Sequence, residues 1–231
     1  MKRRYKLIII ISIGIIITII INSLKVTNKK NLTALGDGFS QGMTPYDVAG
    51  ISYNDYLKEL FLKESNLDNY NYEFTEEHLT THMLNEIISN NKCGKITSLP
   101  IKQVIAKSDL ITISIGLNEF AEKSYIEKIN KEMIDDYLSE INTLFSSIRH
   151  FYKKGIIFIG LYPAVNLKKS DVIEINSKLK ILCGKYNINF LDIIALSLKE
   201  EYYLEKESYY LNYKAHEQIA NLIYDMYKNK Y

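Results

Sequence analysis

Short apolar runs alternate with longer amphipathic stretches along most of this 231-residue chain. β-Branched and apolar residues cluster at 32–35, 70–74, 110–115, 156–161 and 188–193, and each cluster predicts a strand. Ile156-Ile157-Phe158-Ile159 has no polar alternation, and a strand of that kind is covered on both faces. Between the runs, apolar residues recur at helical spacing over 53–63, 81–89, 101–107, 131–152 and 171–186, with a last such stretch over 213–228. Strands alternating with helices predict a three-layer α/β/α fold, a doubly wound parallel sheet with helices on both faces. Ligands of such sheets sit beyond the carboxyl ends of the strands, near the reversal in strand order. Three connections are nominated in this way: residues 37–50, 75–81 and 117–121.

The alternation fails at the start of the chain. Lys2, Arg3, Arg4 and Lys6 precede an apolar run, residues 7–24, whose polar members are Ser12, Thr18, Asn22 and Ser23. A helix of that length spans roughly 27 Å, close to the hydrocarbon thickness of a bilayer. The expected organisation is a short basic cytoplasmic end (1–6), a transmembrane anchor (7–24), a polar linker (25–30) and one domain over 31–231. Basic residues stay inside, so the domain is expected outside the cytoplasm, on a single pass through the cell membrane of a bacterium. A cleaved signal peptide is the competing reading. Against it, no Ala-x-Ala-like site follows Ile21, and no cysteine near the end of the run offers a lipoprotein-type attachment.

Composition narrows the function classes. At 47% hydrophobic and 24% charged, the chain has enough apolar material for one substantial core. Of its 29 Lys and Arg, four precede Leu7, leaving 25 against 27 Asp and Glu. A nearly neutral body lacks the basic field of a nucleic-acid binder, so no nucleic-acid partner is expected. Cys93 and Cys183 lack metal-ligand spacing and read as buried or free thiols in preference to a disulfide. No cofactor is expected.

Four blocks spread over almost the whole exported part carry a family resemblance. The first is Ala34-Leu35-Gly36-Asp37-Gly38-Phe39-Ser40-Gln41-Gly42, directly after the first predicted strand. The second is Thr75-Glu76-Glu77-His78-Leu79-Thr80, the third Gly116-Leu117-Asn118-Glu119, and the fourth Tyr210-Leu211-Asn212 with the helix after it. Together they resemble the SGNH (GDSL-type) hydrolases, esterases and lipases whose first block reads Gly-Asp-Ser-Leu-Thr-x-Gly. The resemblance implies a flavodoxin-like α/β/α fold and, for a typical member, acyl-ester hydrolysis by a serine, histidine and aspartate.

This chain departs from that pattern at the reacting residues. Gly38 stands where the attacking serine belongs. With the family's Asp-x-x-His-Pro-Asn anchored on Asn212, Tyr210 takes the histidine position and Glu207 that of the aspartate. A second frame keeps His216 as the base, at the cost of placing Tyr213 at the acid and losing the Pro-Asn. Asn118 corresponds to the side-chain donor of the oxyanion hole, with the Gly38 backbone beside it, and Asp37 to the residue that shapes the turn. In the second block Thr75 and His78 replace glycines, and Thr80 matches. Triad chemistry needs a proton acceptor against a hydroxyl, which Gly38 and Tyr210 do not supply.

The resemblance therefore implies a degenerate, non-hydrolytic member, a pseudoenzyme. It would use Asp37, Gly38, His78, Asn118 and Tyr210 to bind or scaffold a cell-envelope ligand such as an acylated glycan, lipid or peptidoglycan fragment. The alternative is an active esterase using unusual residues, with Ser40 as a relocated nucleophile and His78 as its base. A third reading is a structural partner in a membrane complex. The plainer roles are a helix-capping hydroxyl for Ser40 and a solvated loop imidazole for His78. His78 and His82 have the spacing of two helical metal ligands but no evident third, beyond Glu76 and Glu77 nearby, and no metal site is expected. Tyr46, Tyr53 and Tyr56 are placed near a pocket mouth, for stacking or for packing, and His150 beside Arg149 at the negative end of a helix dipole.

Overall fold

The computed structural model describes residues 29–44, 46, 48–124, 128–164, 167–203 and 209–230. The expected cytoplasmic end and anchor, most of the linker and Glu207 lie outside the described residues. Among the described residues, no helix is long and apolar enough to cross a membrane.

Five strands pair in parallel in the order β2-β1-β3-β4-β5. They are β1 (Lys30–Gly36), β2 (Leu67–Thr75), β3 (Leu110–Ser114), β4 (Gly155–Ile159) and β5 (Asn189–Leu191). Every residue of β3 and β4 is buried, which is why their sequences carry no polar face. The helices are α1 (Gly38–Gln41), α2 (Tyr53–Lys63), α3 (Thr81–Ser89), α4 (Ile101–Lys107), α5 (Leu117–Ser124), α6 (Lys131–Phe151), α7 (Lys169–Lys185), α8 (Ile194–Ser197) and α9 (Tyr213–Lys230). Right-handed crossovers place α3, α4, α6 and α7 on one face of this strand order and α2 on the other. The packing agrees, since α2 lies against α9, and α6 contacts both α3 and α7. Phe61 meets Tyr224 and Tyr227 across the α2–α9 seam, and Phe145 meets Phe158 between α6 and β4.

Three expectations need correction. Residues 117–121 are not a loop: Leu117 opens α5, directly after the turn at Gly116. Strand β2 begins at Leu67, three residues before the expected start, because Asp68 and Asn69 are exposed polar residues on a sheet edge and leave no apolar trace. At the other edge β5 is only three residues long, although the apolar run covers 188–193.

The chain leaves β1 toward β2 but leaves β3 toward β4, so the order reverses between β1 and β3. Gly36 pairs with Ser114 there, bringing the ends of the two strands level. The approach is close. A Cβ on Gly36, whose φ is +137°, would come 1.8 Å from the Ser114 carbonyl oxygen.

Candidate functional site

The site is assembled at this reversal, from the turn after β1 upward. Asp37 caps α1 by accepting from the Phe39 N–H (3.2 Å), and its other oxygen accepts from the Leu117 N–H (3.1 Å) at the start of α5. One carboxyl group thus fixes the two helix starts that flank the crevice. It is completely buried, and that burial outweighs its N–H donors and pushes the carboxyl up to about 7.

Gly38 is the first residue of α1. A Cβ there would lie 2.6 Å from the Tyr210 hydroxyl oxygen, 3.1 Å from Met43 Cγ and 3.3 Å from Glu77 Cα. The space from which a side chain would project is therefore already filled, chiefly by Tyr210. Asn118, buried in the first turn of α5, accepts from the Tyr209 hydroxyl (3.1 Å) and the Tyr210 hydroxyl (3.5 Å) through Oδ1. With its oxygen held in this way, its Nδ2 donates to the backbone carbonyl of Glu77. The Gly38 N–H donates to the same carbonyl at 3.3 Å. Two donors that converge on one point are thus met by an oxygen of the protein's own backbone. That oxygen sits in a turn closed by the Leu79 N–H on the Glu76 carbonyl (3.0 Å), just before Thr80 caps α3.

Asp37, Gly38, Asn118 and Tyr210 are brought together, whereas the rescue pair is not built as a catalytic couple. Ser40 is buried inside α1, and its hydroxyl contacts the Leu35 carbonyl (3.1 Å), the Ser114 carbonyl (3.2 Å) and the Tyr53 hydroxyl (2.8 Å). None of these partners is an imidazole. Ser40 does not cap the helix either, since Asp37 holds that position and Ser40 instead ties α1 to the ends of β1 and β3. The His78 side chain is 75% exposed and lies 3.9 Å from the Glu77 carboxylate.

His216, the base in the second frame, is an interior residue. Its Nδ1 accepts the Tyr53 N–H at the start of α2 (3.0 Å), which leaves the proton on Nε2, buried without a hydrogen-bond partner. Phe39 and Tyr53 pack on its ring, and burial lowers its pKa to about 4, so it stays neutral. Tyr53 itself is fully buried and not at a pocket mouth, while Tyr46 is exposed and Tyr56 half-buried. His82 pairs with Glu140 at 3.3 Å, and among the described residues no group of three or more His, Cys, Asp or Glu is placed to hold a metal ion. Cys93 is exposed, Cys183 is buried, and both are free.

Sequence reasoning missed three contributors. Tyr209 steadies Asn118; Tyr137, from α6, donates to the Ile115 carbonyl (2.8 Å) and packs its ring where a Gly116 side chain would project. The Glu77 carbonyl is the third, and nothing in a side-chain pattern announces where a backbone oxygen points. Beside α1, a cavity of about 500 Å³ opens between the segment after α1 and the edge of β2. Gln41, Gly50, Tyr70, Tyr72, Glu73 and Glu76 are among its lining.

A parallel α/β sheet whose switch point carries an Asp-capped turn, a backbone donor and an asparagine amide is the architecture of the SGNH-type hydrolases. Residues 32–223 match the GDSL-like lipase/acylhydrolase family, and the chain belongs to that family. Solved structures of similar fold include the lipase Lip_vut3 from a goat rumen metagenome, with TM-score 0.66 and 18% identity over 85% of this chain and 97% of the other. The lipase/acylhydrolase of Enterococcus faecalis gives TM-score 0.64 and 14% identity over 87% and 96% of the two chains. Axe2, an acetylxylan esterase from Geobacillus stearothermophilus, gives TM-score 0.62 and 19% identity over 85% and 93%. A comparison with curated protein sequences gave no match.

Proposed function

We propose that this chain is a non-hydrolytic member of its family, an extracytoplasmic domain held at the cell membrane by a helix over residues 7–24, which binds or scaffolds a cell-envelope ligand. The observation that carries the reading is the filled space over α1. Where a nucleophile would project, Gly38 has no side chain and the Tyr210 hydroxyl stands 2.6 Å from the position of a Cβ. A phenol holds its proton near neutral pH and is not the acceptor that acyl transfer requires. The cavity of about 500 Å³ beside α1, with Tyr70 and Tyr72 stacked at 5.5 Å, supports binding in place of turnover. Acylated glycans, lipids and peptidoglycan fragments are the ligand classes that suit a domain at this location.

The test uses the full-length chain in detergent with p-nitrophenyl acetate and butyrate. No turnover above buffer is expected, and no labelling by a fluorophosphonate probe. Turnover that disappears on Ser40→Ala or His78→Ala would overturn the reading in favour of an esterase with unusual residues. Protease treatment of intact cells tests the location, and a domain that survives shaving but is digested after lysis would refute the outward orientation.

A further inference from the structure

Strand β2 carries one residue more than β1 where the two run side by side: β1 goes from Thr33 to Leu35 while its partners go from Asn71 to Phe74. A bulge of this kind re-aims the side chains within it. Asn71 and Phe74 both stay buried, so Tyr72 and Glu73 between them are turned outward. Glu73 goes to the amides of Ile96 and Thr97, at 2.6 and 2.9 Å. Tyr72, 50% exposed, goes to the cavity beside α1. Its ring stacks on Tyr70 at 5.5 Å and 25°, and Lys58 Nζ lies 5.9 Å from the Tyr70 centroid. The inner ring is thus engaged by its neighbours, and the outer one is fixed in orientation yet half open to solvent.

We propose that this cavity takes a neutral sugar ring of a glycan, stacked on Tyr72. The inference rests on the binding role proposed above and names what its cavity holds. An anion is disfavoured, because Asp55, Glu73 and Glu76 line the cavity against a single lysine, Lys95. A cation gains little, because each of those carboxylates is already engaged. Asp55 accepts from the Ser52 N–H (2.9 Å) and hydroxyl (2.8 Å), Glu73 from the two amides, and Glu76 from Lys95 (3.4 Å). A pyranose suits what remains. Its flat C–H face meets the electron-rich face of the phenol, and its rim of hydroxyls donates as well as accepts. Gln41 lines the same cavity with a buried amide oxygen that has no hydrogen-bond partner among the described residues, and a hydroxyl supplies the donor it lacks. A volume of about 500 Å³ falls within the range of small-molecule sites.

The experiment measures binding to the full-length chain by calorimetry, in a detergent without a sugar headgroup. The probes are cellotetraose and chitotetraose, both neutral, the glucosamine tetramer, which is cationic, and tetragalacturonate, which is anionic. At least one neutral probe should bind, and more tightly than either charged one. Tyr72→Ala should weaken it about tenfold and Tyr72→Phe less than twofold, since the ring face is kept. Gln41→Leu, which removes the acceptor without touching the stack, should weaken it about fivefold. Failure of both neutral probes, tighter binding of a charged one, or binding indifferent to Tyr72→Ala would each overturn the proposal. Capture of phospholipid vesicles in place of either neutral glycan would also overturn it, while leaving the binding role itself intact. Ester turnover by a wild type whose glycan binding still depends on Tyr72 would refute the non-hydrolytic reading and support the sugar site.

Discussion

A methyl group placed on Gly38 would begin 2.6 Å from the Tyr210 hydroxyl oxygen, a separation that real side chains do not tolerate. Gly38→Ala is therefore expected to cost about 1–3 kcal/mol of stability by overpacking. Since φ at Gly38 is not positive, the backbone itself accepts alanine. On a Tyr210→Phe background, which removes the obstructing oxygen, the same substitution should cost less, with only the tight fit against Met43 and Glu77 left. Urea midpoints of the four species check this, and equal costs in both backgrounds would show that Tyr210 is not the obstacle.

Two buried ionisable groups give a second prediction, with opposite signs. Asp37 rises from 3.8 unfolded to about 7 folded, so its contribution to stability is largest below about pH 4 and is lost as pH climbs toward 7. His216 falls from 6.5 to about 4, so its contribution is full above pH 6.5 and is lost as pH drops toward 4. Between these limits the two slopes oppose each other, and the wild type should change little with pH. Asp37→Asn should expose the histidine slope and lose stability on acidification, by at most about 1.4 kcal/mol per pH unit. His216→Gln should gain stability over the same window. Denaturant midpoints at several pH values in that range provide the measurement.

Among the elements, α2 begins at a reciprocal cap in which the Ser52 hydroxyl accepts from the Asp55 N–H (3.1 Å) and the Asp55 carboxylate accepts from the Ser52 N–H (2.9 Å). Ser52→Ala should cost about 1 kcal/mol, read as a lower thermal midpoint, because α2 is the partner of α9 on its face. Arg149 plays the matching part at the far end of α6, donating to the carbonyls of Tyr152, Lys154, Tyr186 and Asn187. Arg149→Met strips those carbonyls of a charged donor and should cost about 1–3 kcal/mol, with faster amide exchange around residues 186–188. At this scale the sequence was most readable where burial was complete. β3 and β4 are apolar throughout and declared themselves, and α6 showed an unbroken helical period. The polar start of β2 and the helix α5 were illegible for a shared reason: each owes its shape to a neighbour, β1 in one case and the Asp37 carboxylate in the other.

For the whole molecule, the doubly wound parallel sheet followed from alternation, and the signature blocks fall beside its one reversal, but the order of the strands was set only by their pairing. Tyr210 was likewise reachable, since the Asn212 frame points to it and the structure sets its hydroxyl over Gly38. What the site contains could not be read. Whether Glu77 offers an oxygen or a proton to that crevice depends on the rotation of one peptide, which no residue type encodes strictly. Tyr53 misled for a different reason: it is a polar residue in the core, its hydroxyl bonded to Ser40 and its amide to His216 Nδ1.

The Glu73 carboxylate, on the outermost strand β2, accepts from the amides of Ile96 and Thr97 at 2.6 and 2.9 Å and so draws that segment across the margin of the sheet. Glu73→Ala should free the segment and raise thioflavin-positive aggregation on gentle heating, while the wild type stays clear. At the opposite margin, three residues of β5 give a visiting chain almost nothing to zip onto. Strand-to-strand fusion between crowded copies is thus opposed at both margins, by one acid group and by the brevity of a single strand.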